Sequence, residues 1–111
     1  MRILAIETSC DETAISLLEA TGSLKSPSFK ILKQTVSSQV KLHAPFGGVV
    51  PSLAKREHQR NLPILLRRII GPSARAGQAM NKVDLITVTV GPGLEPALWT
   101  GIVFAQELSK K

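Results

Sequence analysis

Arg2-Ile3-Leu4-Ala5-Ile6-Glu7 is a short β-branched and aliphatic run, followed at once by the turn-forming Thr8-Ser9-Cys10-Asp11-Glu12 and a second apolar run, Thr13-Ala14-Ile15-Ser16-Leu17-Leu18-Glu19. Two apolar runs separated by a short polar turn predict a β-hairpin. Working outward, Ala20 to Pro27 is rich in Gly, Ser and Thr and reads as a second turn, and Phe29 to Ser37 alternates well enough for a third strand. Three antiparallel strands are therefore expected to open the chain.

The period changes from Val49 to Ile70. Leu53, Ala54, His58, Leu62, Leu65, Leu66 and Ile69 fall on one helical face, with Lys55, Arg56, Gln59, Arg60, Arg67 and Arg68 opposite. Pro51 suits the first turn of such a helix, whereas Pro63 removes a backbone donor in its middle and predicts a kink or break there. Gly71-Pro72 ends it. Residues 72–82 read as an exposed polar connection. The near-continuous β-branched run from Asp84 to Val90 reads as a central strand covered on both faces. Gly91-Pro92-Gly93 makes the next turn, and Ala97 to Leu108 has the small and apolar spacing of a helix lying close on a sheet. The order is strand, strand, strand, helix, strand, helix, an α/β arrangement.

The 111 residues suit one small domain, and 43% hydrophobic content with 20% charged residues suits an ordinary globular core. Glu7 and Asp11 interrupt the N-terminal apolar run long before a signal peptide or membrane span forms, so a cytoplasmic protein with no membrane partner is expected. Cys10 is the single cysteine, which excludes an internal disulfide and a cysteine-built zinc cage. The net charge of +6 fits an anionic partner such as nucleic acid, and fits an ordinary basic surface equally well.

Three motifs carry a resemblance. They are Ile6-Glu7-Thr8-Ser9-Cys10-Asp11-Glu12-Thr13, the block from Ser38-Gln39-Val40-Lys41-Leu42-His43 through Gly47-Gly48-Val49-Val50-Pro51 to Arg56-Glu57-His58, and Gly91-Pro92-Gly93-Leu94. Together they resemble the TsaD-type tRNA N6-adenosine threonylcarbamoyltransferase family. The resemblance implies an actin-like ATPase or ribonuclease H-like fold, of which residues 1–111 would be a partial N-terminal lobe with the second lobe absent. It also implies an enzyme that transfers a threonylcarbamoyl group from threonylcarbamoyl-adenylate to N6 of the adenosine 3′ of the anticodon. The partners implied are tRNA, a paralogous scaffold subunit and a P-loop ATPase subunit. An iron or zinc ion is implied for the full-length protein, on ligands beyond residue 111. Glu95-Pro96 and Trp99-Thr100 depart from the smaller residues usual after the family's Gly-Pro-Gly-Leu. The alternative within the same pathway is the non-catalytic scaffold paralogue, which normally lacks the Ser-Cys-Asp-Glu-Thr turn and the Gly-Gly-Val-Val-Pro segment that are both present here.

Chemistry assigns candidate roles. Asp11 and Glu12 place two carboxylates on one turn, where they can accept a proton from an attacking amine or orient a ligand, and where solvated carboxylates are also common. Thr8 and Ser9 offer hydroxyls and backbone amides to a phosphate, or form Asx-type turn bonds instead. Gly91 and Gly93 lie between a strand's C-terminal end and a helix N-terminus, where ligands of open α/β sheets sit. His43, Arg56 and His58 are expected to face RNA or the adenylate, or else to lie along a solvated helix face. Glu7, at a strand end, is a weaker candidate. Cys10 has no histidine near it in sequence and reads as a small buried thiol. His43 and His58 belong to different motifs, so no metal ligand is assigned within the chain.

Overall fold

Across the first hairpin Ile6 pairs with Ile15 and Ile3 with Leu18, so the two apolar runs bury against each other in antiparallel register. The computed structural model describes residues 1–71 and 82–111. Its strands are β1 (Arg2–Glu7), β2 (Glu12–Gly22), β3 (Pro27–Ser38) and β4 (Leu85–Val88). They form one sheet in the order β3-β2-β1-β4, antiparallel except for the parallel β1–β4 pair. The hairpin of β2 and β3 runs further than the Gly/Ser/Thr-rich turn suggests, because Gly22 takes φ +86° and the Ser23 hydroxyl accepts the Ser26 amide at 3.1 Å. β3 carries one extra residue, Leu32, as a bulge opposite the step from Leu17 to Leu18 of β2.

The helices are α1 (Val40–His43), a 3-10 turn (Ala44–Phe46), α2 (Pro51–Ile70) and α3 (Glu95–Ser109). Period two in β1 and β2 sends Leu4, Ile6 and Ile15 to the face that α2 and α3 cover. There they meet Leu62, Leu65, Leu66, Ile69, Ala105 and Leu108 in a single core. Ala54, His58, Leu62, Leu65, Leu66 and Ile69 of α2 are all buried, as the 3.6-residue period predicts. Apart from α1 and the 3-10 turn, the element order is the expected one, in the α/β class of actin-like and ribonuclease H-like folds.

Three expectations are corrected. Pro63 does not break α2, which runs as one helix to Ile70. Pro63 and Gln59, whose carbonyl loses its donor, are both exposed, so water can satisfy that carbonyl, while buried leucines hold the helix on either side. The strand at 84–90 is shorter than its β-branched run and pairs with β1 alone among the described residues, with Leu85 exposed. The segment before α2 is not all loop, since α1 and the 3-10 turn occupy residues 40–46 and Gly47 closes them at φ +75°. The connection expected at 72–82 lies, except for Lys82, outside the described residues.

Candidate active site

The parallel pair β1–β4 brings two loops side by side at the C-terminal ends of the strands, Thr8–Asp11 after β1 and Thr89–Leu94 after β4. Three contacts lock them together. The Leu94 amide donates to the Ser9 carbonyl at 2.8 Å, and the buried Thr8 hydroxyl donates to the Ala97 carbonyl at 2.7 Å. The third involves Gly93, where a Cβ would come within 2.5 Å of the Ser9 carbonyl oxygen. Gly101, one helical turn beyond Ala97, lies so close to Thr8 that a Cβ there would collide with its hydroxyl. The small residues of α3 therefore serve close approach to the β1 turn.

The turn is held from every side. The carbonyl of Ser9 accepts from Leu94, that of Cys10 from His58 Nε2 at 2.8 Å, and that of Asp11 from the Gln39 amide at 2.7 Å. The Ser9 amide donates to Glu7 Oε1 at 2.5 Å. By contrast, the amides of Cys10 and Asp11 donate to no acceptor among the described residues. Carbonyls drawn into the protein with amides left over is the polarity of an anion-binding turn. Asp11 is half-buried and Glu12, the first residue of β2, is exposed.

Glu7 closes the far side. Its second oxygen accepts the Thr89 hydroxyl, which ties the end of β1 to the segment after β4. Burial pushes this carboxyl up, but hydrogen bonds from Ser9 and Thr89 bring it below its ordinary value of 4.5. Glu7, Ser16, Thr87 and Thr89 line a recess of about 350 Å³ on the sheet face that the helices leave open. A larger cleft of about 610 Å³ lies elsewhere, between α2 and α3, walled mainly by Trp99, Val103, Phe104 and Leu62. Its lining is largely apolar and includes neither carboxylate of the turn.

His43 and His58, expected to face RNA or a ligand, are instead buried, with relative exposures of 3% and 0%. His58 Nε2 donates to the Cys10 carbonyl, so its Nδ1 accepts, from the Thr13 hydroxyl at 2.7 Å and from Gln39 Nε2 at 3.4 Å. Burial pushes its basicity below the ordinary 6.5, outweighing the Cys10 carbonyl and the charges of Glu7 and Asp11. His43 Nδ1 accepts the Val50 amide at 3.1 Å, so its Nε2 donates to Gln39 Oε1 at 2.7 Å. Both rings use both nitrogens within the protein, and neither offers a lone pair to a metal. Among the described residues no three His, Cys, Asp or Glu side chains group as metal ligands. Arg56 alone of that expected trio is exposed, on the outer face of α2 with Lys55, Arg60, Arg67 and Arg68.

Cys10 is half-buried, and the histidine that the fold brings to it bonds its carbonyl rather than activating its thiol. Gln39 and Thr13 lie within the quoted motifs but were not singled out as site residues, and Thr89 lies in none of them, because their partners come from segments distant in sequence. The burial of His58 was legible, since it shares the apolar face with Ala54 and Leu62.

Comparison with known proteins adds a second line. The family model for TsaD, tRNA N6-adenosine threonylcarbamoyltransferase, matches residues 30–111. A Thermosipho melanesiensis protein of that name is 48% identical over the whole chain, which spans 31% of the relative. One from Thermus thermophilus is 42% identical over 98% of the chain and 30% of the relative. The chain thus spans under a third of the length of these curated relatives. YeaZ from Pseudomonas aeruginosa superposes with a TM-score of 0.58 at 20% identity, over 98% of this chain and 38% of that one, a likeness of fold. With its Glu-Thr-Ser-Cys-Asp-Glu turn clamped against the Gly-Pro-Gly loop, the chain belongs to the TsaD family of tRNA N6-adenosine threonylcarbamoyltransferases.

Proposed function

We propose that the chain contributes the acidic turn and the phosphate-facing loops of an enzyme that transfers threonylcarbamoyl from threonylcarbamoyl-adenylate to N6 of the adenosine 3′ of the anticodon in tRNA. The observation that carries this reading is the clamped turn. Each carbonyl from Ser9 to Asp11 is tied into the protein, which leaves the Cys10 and Asp11 amides for an anionic ligand beside two carboxylates.

The chemistry required is modest. The adenosine amine attacks the carbamoyl carbonyl, forming the new C–N bond as the bond to adenylate breaks, and the amine must lose a proton. Asp11 and Glu12 are the groups here suited to accept it. The Cys10 and Asp11 amides, with the Ser9 hydroxyl and the Gly91–Gly93 loop, would bind the adenylate phosphate, which leaves with the electron pair, while Thr8, expected to offer its hydroxyl, is buried with that hydroxyl on the Ala97 carbonyl and instead holds the turn. Arg56 and its basic neighbours on α2 would meet the RNA backbone. The family's iron or zinc does not fit any residue set described here, so its ligands are assigned to the rest of the full-length protein. The second lobe would likewise be supplied by the full-length protein, and the scaffold subunit and P-loop ATPase subunit would be separate partner proteins. A tRNA substrate supports a cytoplasmic location. No helix among the described residues is long and apolar enough to cross a membrane.

The test is threonylcarbamoyl transfer to unmodified tRNA by the full-length protein with its partner proteins, comparing the parent with Asp11→Ala and Glu12→Ala. Loss of transfer by at least about a hundredfold in one variant, the scale of a removed general base, supports the assignment. Unchanged rates in both would remove these residues from the chemistry. A parent without transfer would favour the scaffold paralogue.

A further inference from the structure

Beneath the acidic turn runs a buried chain of polar side chains whose hydrogen-bond direction is set at one end. The Val50 amide, at the N-cap of α2, can only donate, so His43 Nδ1 accepts and its Nε2 carries the proton. That proton goes to Gln39, which orients the Gln39 amide with its oxygen toward His43 and its nitrogen toward His58 Nδ1 and the Ala54 carbonyl. Facing two donors, Gln39 and the Thr13 hydroxyl, His58 Nδ1 stays unprotonated and Nε2–H points at the Cys10 carbonyl. No buried side-chain polar atom among the described residues lacks a partner.

We propose that His58 is a positioning residue for the reaction, held by this relay as a neutral Nε2–H imidazole that fixes the Cys10 carbonyl and with it the placing of Asp11. The inference rests on the transfer reading above. It adds that α2, the segment preceding it and the acidic turn form one positioned unit. Because the carbonyl and amide of one trans peptide unit point in opposite directions, turning the Cys10 carbonyl toward His58 also points the Asp11 amide away from it. Gln39 does two things in the same unit, since its backbone amide holds the Asp11 carbonyl while its side chain sets the imidazole. Displacing a carboxylate base by about 1 Å is enough to lower a rate about a hundredfold, so a lost tether is felt in turnover more than in binding.

The experiment uses the full-length protein with selectively 15N-labelled histidine and three substitutions. In the parent, the His58 nitrogen shifts at neutral pH should report the neutral Nε2–H tautomer. Gln39→Glu replaces the donor facing Nδ1 by a carboxylate and should convert His58 to its cation. With tRNA as substrate, His58→Leu should lower kcat about tenfold to a hundredfold with KM for tRNA changed less than about twofold. His58→Gln, whose amide can donate to Cys10 and accept from Thr13, should recover to within about threefold of the parent. A parent His58 that is cationic or Nδ1-protonated overturns the relay. His58→Gln no better than His58→Leu, or a loss carried by KM, overturns the positioning role. If His58→Leu fails to fold, His58→Gln and Gln39→Glu still decide, since a parental kcat in the folded Gln39→Glu cation overturns it as well. A parent with no transfer to tRNA sinks the transfer reading instead, and the nitrogen shifts then stand or fall separately.

Discussion

The Thr89 hydroxyl donates to the Glu7 carboxylate, joining the end of the first strand to the segment after the fourth across the site where the Gly-Pro-Gly loop begins. Residues 82 positions apart are thereby tied at the mouth of the recess. The tie has a pH signature. Burial raises the Glu7 carboxyl, but the hydrogen bonds from Ser9 and Thr89 prevail and hold it below 4.5 in the folded protein. A group depressed on folding adds stability above its unfolded value, and loses it as pH falls through the lower folded value. Denaturant midpoints of the full-length protein, followed from pH 7 down through the carboxylate range, should therefore fall more steeply for the parent than for Glu7→Gln. Parallel curves would mean that Glu7 is not depressed.

Gly101→Ala pits two effects against each other. In an exposed helix the change gains about 1 kcal/mol of propensity. Here the new methyl group meets the buried Thr8 hydroxyl, which is already committed to the Ala97 carbonyl, and overpacking of that kind costs about 1–3 kcal/mol. Net destabilisation is expected. It should be smaller when Gly101→Ala is added to Thr8→Ala than when added to the parent, and equal costs in a double-mutant cycle would deny the contact.

How far the sequence reveals this architecture follows from what each residue contributes to a repeating pattern. The hairpin was legible because the apolar runs Ile3–Ile6 and Thr13–Leu18 flank a short polar turn, and α2 because the apolar residues from Ala54 to Ile69 recur with a period of 3.6. The continuity of α2 through Pro63 was not, since it depends on the helix burying leucines on both sides of an exposed proline. At the site, the β1 turn and the glycine loop were legible from their local chemistry. The partners of His58 are Gln39, the N-cap of α1, and Thr13 of β2, which meet it only through tertiary folding. His58 carried two conflicting signals, a polar ring in a basic segment and a place on the apolar face, and packing decided for the second.

Within α2, neighbours in sequence should differ sharply. Leu65 is 1% exposed in the core, and Leu65→Ala should cost about 2–5 kcal/mol. Ile64, at 45% exposure, should cost under about 1 kcal/mol on the same change. Pro63→Ala restores the amide that can bond the Gln59 carbonyl and should stabilise by about 1–3 kcal/mol. Chemical denaturation of the three variants checks the set, and a destabilised Pro63→Ala would show that the proline's fixed backbone matters more than the missing bond.

The outer face of α2 gives the last expectation. Arg56 and Arg60 are exposed, and Arg60 is only loosely paired, its guanidinium 3.8 Å from Glu57, so both are free to meet phosphates. If this face binds tRNA, Arg56→Ala and Arg60→Ala should each weaken binding across all tRNA sequences alike. Each should reduce the slope of log affinity against log salt by roughly 0.7–0.9, the release of about one counterion. Both substitutions leave the buried relay through His58 intact, so kcat at saturating tRNA should stay near that of the parent. An unchanged salt slope in both variants would move the RNA to another face, and a fall in kcat instead of affinity would mean that the arginines act on the turn rather than on the RNA backbone.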